Sequence, residues 1–285
     1  MTVVKALILT GYGLNCDYET EHAFKMAGAE PRRVHINELI LNDDTGPKIE
    51  LPDYHILVFG GGFSWADDHG AGVVLASKLK YNIGDQIDRF IHDGKLVIGI
   101  CNGFQSLVNL GLLPGFNDNY SERKVALTGN KSGNFIDTWV SLKVDPDSPC
   151  VFTKGISTIE LPVRHAEGNF FASDEDIKHL IKNRQVVMRY SDREGTPADG
   201  RWPLNPNGST MDIAGICDPT GRVFGLMPHP EAFHSFTNHP EWTLKKEALT
   251  REGKSIENRE GDGVRIFRNA VEYIKEVVKA GGLKT

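Results

Sequence analysis

In the N-terminal half of the chain, short apolar runs alternate with stretches whose apolar positions recur at helical spacing. Val3–Leu9 reads as a buried strand and Tyr18–Ala27 as a helix closed by Gly28. Pro31–Ile36 and His55–Phe59 read as further strands, and Val73–Asp93 predicts one or two helices ending at Gly94. Leu96–Ile100 is the next strand, and an apolar helix-like run, Ser106–Leu113, follows it closely. Short apolar strands separated by helical crossovers predict an α/β fold, an open and mainly parallel central sheet with helices on both faces. Right-handed crossovers would line the strands' C-terminal ends along one edge, where such folds keep their sites.

After Pro114 the pattern changes. Phe135–Val144, Thr158–Val163 and Gln185–Tyr190 predict strands of a smaller antiparallel portion. Thr210–Ile216 and Arg222–Met227 predict a pair joined by the Asp218-Pro-Thr-Gly221 turn. Asp192–Ser209 is rich in Gly, Pro, Asn and Asp and reads as a loop. His234–Gly263 is polar, with little apolar periodicity, and reads as an insertion or surface flap. In Asp262–Ala280, Val264, Phe267, Val271, Ile274 and Val278 recur at three- and four-residue intervals, which predicts an amphipathic helix. The expectation is one domain over residues 1–285, with a flap at about 234–263 and a closing helix at 262–280.

A net charge of -6 without a basic block argues against a nucleic-acid or anionic-membrane surface. No apolar run approaches membrane-spanning length. The cysteines at 16, 101, 150 and 217 are scattered and form no Cys-x-x-Cys pair. That suits a reducing cytoplasm, with no disulfide scaffold and no metal ribbon. The N-terminus enters a strand-like run at once, without a charged leader or a small-residue cleavage site, so no export signal is expected.

The candidate chemistry starts at Gly99-Ile-Cys101-Asn102-Gly103. This is the cysteine version of an elbow that holds a nucleophile on a strained strand-to-helix turn. Glycines two residues to either side remove side chains that would collide as the strand turns back. The sulfur would sit at a helix N-terminus, which favours thiolate. Its candidate base is His229 in Met227-Pro-His-Pro-Glu231, held extended by the flanking prolines. In an extended segment Glu231 projects to the same side and could orient the imidazole. His234 and His239 read as surface histidines, because their spacing from His229 fits neither a helix face nor a metal-ligand pattern. Gly60-Gly-Gly62-Phe-Ser64 ends an apolar strand and leaves two readings open, a phosphate cradle and an oxyanion hole. No Gly-Lys-Ser/Thr follows at phosphate-loop spacing, and Gly11-Tyr-Gly13 fails as a dinucleotide fingerprint because Cys16 stands where a third glycine belongs.

Together, Gly-Ile-Cys101-Asn-Gly-Phe-Gln105, Gly-Gly-Phe-Ser64 and Pro-His229-Pro-Glu231 resemble the class I (triad) glutamine amidotransferases. The resemblance is closer to the family of glutaminase subunits of phosphoribosylformylglycinamidine synthase. Gly13–Asp17, Asn130–Phe135 with Trp139, Pro162–Gly168, Asn205–Ser209 and Asp212–Cys217 carry it further, so it covers most of the chain. Gly60 stands where the family usually has proline, and Ala166 where it usually has glycine. The resemblance implies a flavodoxin-like fold and hydrolysis of glutamine, with Cys101, His229 and Glu231 as the triad. The backbone amides of Gly62 and Asn102 would hold the oxyanion, while Gln105 and the loop at His165 would hold the glutamine. It implies no cofactor and no metal in this chain. ATP and Mg²⁺ would be used by a separate synthetase subunit, with a small third subunit bridging the two.

Other readings are a triad amidotransferase serving a different product, a cysteine hydrolase or stress protein of the related superfamily, and a binding module with a structural Cys101. Asn205–Ser209 and Gly13–Asp17 count against the first. Asn102 counts against the second, whose members place their histidine directly after the nucleophile.

Overall fold

The computed structural model describes residues 2–40, 49–257 and 259–283. In chain order the N-terminal half runs β1 (Lys5–Thr10), α1 (Asp17–Met26), β2 (Glu30–His35), α2 (Ile36–Ile40), β3 (Ile56–Phe59), α3 (Val73–His92), β4 (Leu96–Ile100) and α4 (Asn102–Leu110). There follow β5 (Val125–Thr128), β6 (Ile136–Val144), β7 (Thr158–His165), β8 (Asn169–Ala172), α5 (Asp174–Lys182), β9 (Val186–Ser191), β10 (Ile213–Cys217) and β11 (Val223–Leu226). Helices α6 (Trp242–Arg251) and α7 (Val264–Lys279) close the chain.

The main sheet has nine strands in the order β2-β1-β3-β4-β11-β10-β9-β6-β7. The pairs β2/β1, β1/β3, β3/β4 and β4/β11 are parallel. The antiparallel portion continues the same sheet through β10, β9, β6 and β7. A second sheet pairs only β5 with β8. Strands β3, β4 and β11 are buried along their whole length, which explains their unbroken apolar runs. One hydrophobic cluster runs from Val4 in front of β1 to Ile274 in α7. On α7, Phe267, Val271 and Ile274 belong to it, and Val264 is buried as well.

Several expectations shift at their ends. The helix expected over Ser106–Leu113 starts at Asn102, directly after the elbow. Val73–His92 is one helix with a non-helical residue at Ile83. Strand β10 begins only at Ile213, because Thr210–Asp212 forms a short 3-10 turn with Met211 at φ 51°. Elements β5, β8, α2 and α5 carry too few apolar positions for their periodicity to stand out. The flap at 234–263 contains α6, a helix with no buried residue, so nothing in its hydrophobic pattern marks it.

His239 is not a surface histidine: it is 1% exposed. It packs on Trp139 and Phe233, with Nε2 3.3 Å from Glu160 and 3.0 Å from Lys245. Arg193 bridges Glu160 and Glu241, so a cluster of charges fastens the flap to β7. His234 is half-buried and stacks edge-on against His22.

Candidate active site

The parallel register decides where the site falls. Leu226 of β11 lies beside Ile100 of β4, so the residues after both strands emerge side by side. The Cys101 N–H donates to Leu226 O at 2.8 Å, tying the elbow to the end of β11. Cys101 has φ 51° and ψ -105°, a strained conformation for a residue with a side chain. It immediately precedes α4, where first-turn N–H groups lack intrahelical partners. The two flanking glycines are sterically required. A Cβ on Gly99 would lie 2.7 Å from Gly103 C, and one on Gly103 would overlap Phe59 O.

His229 follows β11 and is pinned by its N–H, which donates to Pro162 O of β7 at 2.8 Å. Its Nδ1 lies 2.6 Å from Glu231 Oε1, and the two side chains are 2% and 0% exposed. The route to this pairing differs from the expected extended segment. Only His229 is extended; Pro230–Ala232 is a 3-10 turn that curls the carboxylate back onto the ring. Nε2, buried and without a hydrogen-bond partner, is left to face the thiol. Burial alone would push the imidazole's pKa down. The charges of Glu231 and Cys101 outweigh burial and hold it well above the ordinary histidine value.

The glycine loop after β3 lies alongside. Gly62, at φ 141°, passes so close to the first loop that a Cβ would sit 2.6 Å from Gly13 O. Phe63 N–H donates to Gly13 O, and the Asn15 and Cys16 N–H groups donate to Gly61 O. These bonds use the N–H groups of Phe63, Asn15 and Cys16 and leave that of Gly62 out of the pairing. Open backbone with no helix at the glycines fits an oxyanion hole better than a phosphate cradle at a helix N-terminus.

Gln105 is buried rather than displayed on a helix surface. Its Nε2 donates to Glu167 O at 2.6 Å, and its Oε1 accepts from Asn102 Nδ2 at 3.1 Å. His165, 2% exposed, has Nδ1 3.1 Å from Asn130 Oδ1. Burial, helped by the nearby His229 charge, pushes it down to about 3 and keeps it neutral. Its ring packs against Gly168, and the Glu167 carbonyl of the same loop accepts from Gln105 of α4.

Sequence reasoning missed two kinds of residue. Cys16, part of the Gly13–Asp17 segment but given no role by the sequence, places Sγ 4.0 Å from His229 Nδ1. Burial raises its thiol pKa, so it backs the ring as a neutral group. The asparagines also went unassigned. Asn207 Nδ2 donates to Gly168 O at 2.7 Å and Tyr190 Oη at 2.9 Å, and Asn130 Nδ2 donates to His165 O at 2.8 Å. They knit the 130, 165 and 205 segments into one buried polar knot beneath the site. No periodicity announces such a knot.

A thiol able to form an acyl intermediate, backed by an imidazole–carboxylate pair, is the equipment of cysteine-dependent amidohydrolases built on a parallel sheet. Residues 3–274 match the family described as CobB/CobQ-like glutamine amidotransferase domain. The chain is 48% identical over 274 residues to phosphoribosylformylglycinamidine synthase subunit PurQ of Methanococcus maripaludis, covering 96% of this chain and 98% of that one. It is 45% identical to the PurQ subunit of Dehalococcoides mccartyi, covering 97% of this chain and all of that one. Among solved structures, a chain of PurLQS from Thermotoga maritima matches with TM-score 0.66 and 31% identity, over 96% of this chain and 100% of that chain. The chain belongs to the glutamine amidotransferase family and, within it, to the PurQ family.

Proposed function

We propose that this chain is the glutaminase subunit of a phosphoribosylformylglycinamidine synthase. The observation that carries the reading is the buried His229–Glu231 pair at 2.6 Å, set beside a cysteine held at φ 51°. The Cys101 thiolate attacks the side-chain amide carbon of glutamine, and the Gly62 and Asn102 N–H groups hold the resulting oxyanion. As the C–N bond breaks, His229 gives its proton to the departing ammonia, leaving a glutamyl thioester. His229 then takes a proton from water, which attacks the thioester carbon and releases glutamate and the thiol. Glu231 holds the ring in the required tautomer throughout.

The ammonia is consumed by an ATP- and Mg²⁺-dependent synthetase subunit, docked where this edge of the sheet opens, with a small bridging subunit completing the complex. No cofactor is assigned to this chain. Exposed Tyr12, Phe63 and Phe135 on the neighbouring loops suit such a docking face. Among the described residues no helix is long and apolar enough to cross a membrane, and the proposed location is the cytoplasm. The test is glutaminase turnover of wild type and Cys101→Ala, each with and without the synthetase. Weak activity alone, strong activation in the complex and none from Cys101→Ala are expected. Equal turnover with and without the synthetase would overturn the coupling, and an active Cys101→Ala the nucleophile.

A further inference from the structure

The Nδ1 edge of His229 meets two ligand-bearing side chains rather than one. Glu231 Oε1 lies 2.6 Å from Nδ1, and Cys16 Sγ lies 4.0 Å from it. One sulfur, one nitrogen and one carboxylate oxygen thus fall within 4.8 Å of one another, and all three residues are buried. They come from separate places in the chain, Cys16 directly before α1 and the other two after β11. A second, independent observation points to a ligand here. Glu231 Oε2 has no hydrogen-bond partner among the described residues, although the side chain is 0% exposed. A buried carboxylate oxygen without a partner is costly, and a cation offsets that cost. The triad chemistry makes no use of Cys16.

We propose that Cys16 Sγ, His229 Nδ1 and the Glu231 carboxylate form an inhibitory site for Zn²⁺, which disables the triad from behind. The inhibition, though not the binding, rests on the glutaminase reading. A mixed sulfur, nitrogen and oxygen set suits Zn²⁺, whereas Mg²⁺ and Ca²⁺ call for more ligands, all of them oxygen. One thiolate and one carboxylate match two positive charges, so the buried complex is neutral. Bonds of about 2.3 Å to sulfur and 2.0–2.2 Å to nitrogen and oxygen set tetrahedral donors roughly 3.4–3.6 Å apart. The Cys16–His229 separation then closes by about 0.5 Å and the His229–Glu231 separation opens by about 0.8 Å, within reach of side-chain adjustment. Cys16 is 8% exposed against 2% for His229 and 0% for Glu231, so the ion enters from its side and keeps a water as fourth ligand. Binding releases two protons, one from the Cys16 thiol and one from His229 Nδ1. The ligated ring holds its remaining proton on Nε2. It has no lone pair there to take a proton from thiol or water, and giving the proton up would leave an imidazolate.

The test uses the metal alone as probe. With the full chain in complex with its synthetase, added Zn²⁺ should inhibit glutamine-dependent synthesis and leave ammonium-dependent synthesis by the same complex unchanged. Cys16→Ser should raise the half-inhibitory Zn²⁺ concentration roughly 100-fold or more, because loss of a direct ligand exceeds the 10- to 100-fold effect of losing an outer-shell partner. A second readout needs no activity. With Co²⁺ in place of Zn²⁺, the thiolate-to-cobalt absorption band of the full chain should persist in Cys101→Ala and fall by one bound equivalent when Cys16→Ser is added. Inhibition of Cys16→Ser at the wild-type Zn²⁺ concentration, or loss of that equivalent in Cys101→Ala, would put the ion on the reacting thiol and overturn the proposal. A wild-type complex with no glutamine-dependent turnover in the absence of Zn²⁺ would instead sink the glutaminase reading, and the cobalt band would still decide the site.

Discussion

Gly61→Ala tests whether the triad depends on close packing behind the imidazole. Gly61 is not held at positive φ, so alanine meets no backbone penalty there. The new Cβ, however, would lie 2.7 Å from His229 Cε1, 3.1 Å from Cys16 Sγ and 3.2 Å from His229 Nδ1. Ordinary contact begins near 3.4 Å, so the ring must give by about 0.7 Å. His229 is anchored on both sides, by Glu231 at Nδ1 and by its own N–H on Pro162 O. It can yield only by turning Nε2 away from Cys101. A displacement of this order costs roughly 10- to 100-fold in kcat, and the overpacking costs about 1–3 kcal/mol of stability. Steady-state glutaminase assays in the complex give the first quantity and calorimetric unfolding the second. Removing the sulfur opens the other side of the methyl, so Gly61→Ala with Cys16→Ala should lose less activity than Gly61→Ala alone. Activity within twofold of wild type at an unchanged Tm would show that the site absorbs the methyl and that the imidazole is not tightly backed.

Gly84→Ala, in α3 with nothing within 4 Å of the added Cβ, should raise stability by about 0.5–1 kcal/mol without touching activity; a lower Tm would contradict it. Asp67→Asn should make the protein more stable, and the gain should depend on pH. Burial and the like charge of Glu167 raise the folded carboxyl to about 6 against an ordinary 3.8, so wild type loses stability as pH rises through that window. Discounted for its half-exposed position, the difference is about 1 kcal/mol above pH 6 and vanishes below about pH 4. A Tm gap independent of pH would count against it. Asn207→Ala leaves Gly168 O and Tyr190 Oη short of a donor in a fully buried place. It should cost roughly 2–3 kcal/mol in urea unfolding and speed exchange of the Gly168 amide, which Asn130 now protects. No change in that exchange would separate the knot from the site.

The strands β1, β3 and β4 were legible because burial on both faces demands uninterrupted apolar runs, and that composition is local. Cys101 and its two glycines were legible for a similar reason: a sharp elbow must be glycine-flanked wherever it occurs. Local composition therefore sets the parallel half of the sheet, the glycine-flanked turn at Cys101, and the short-range pairing of His229 with Glu231, two residues apart. It could not reveal that Leu226 lies beside Ile100, which alone brings His229 to Cys101, because register is settled by packing over the whole sheet. Nor could it place Cys16 behind the imidazole of His229. That contact arises only where the segments following separate strands meet. Hydrophobic patterning records what a segment buries, whereas a site is made of polar groups from distant segments whose meeting no local pattern encodes.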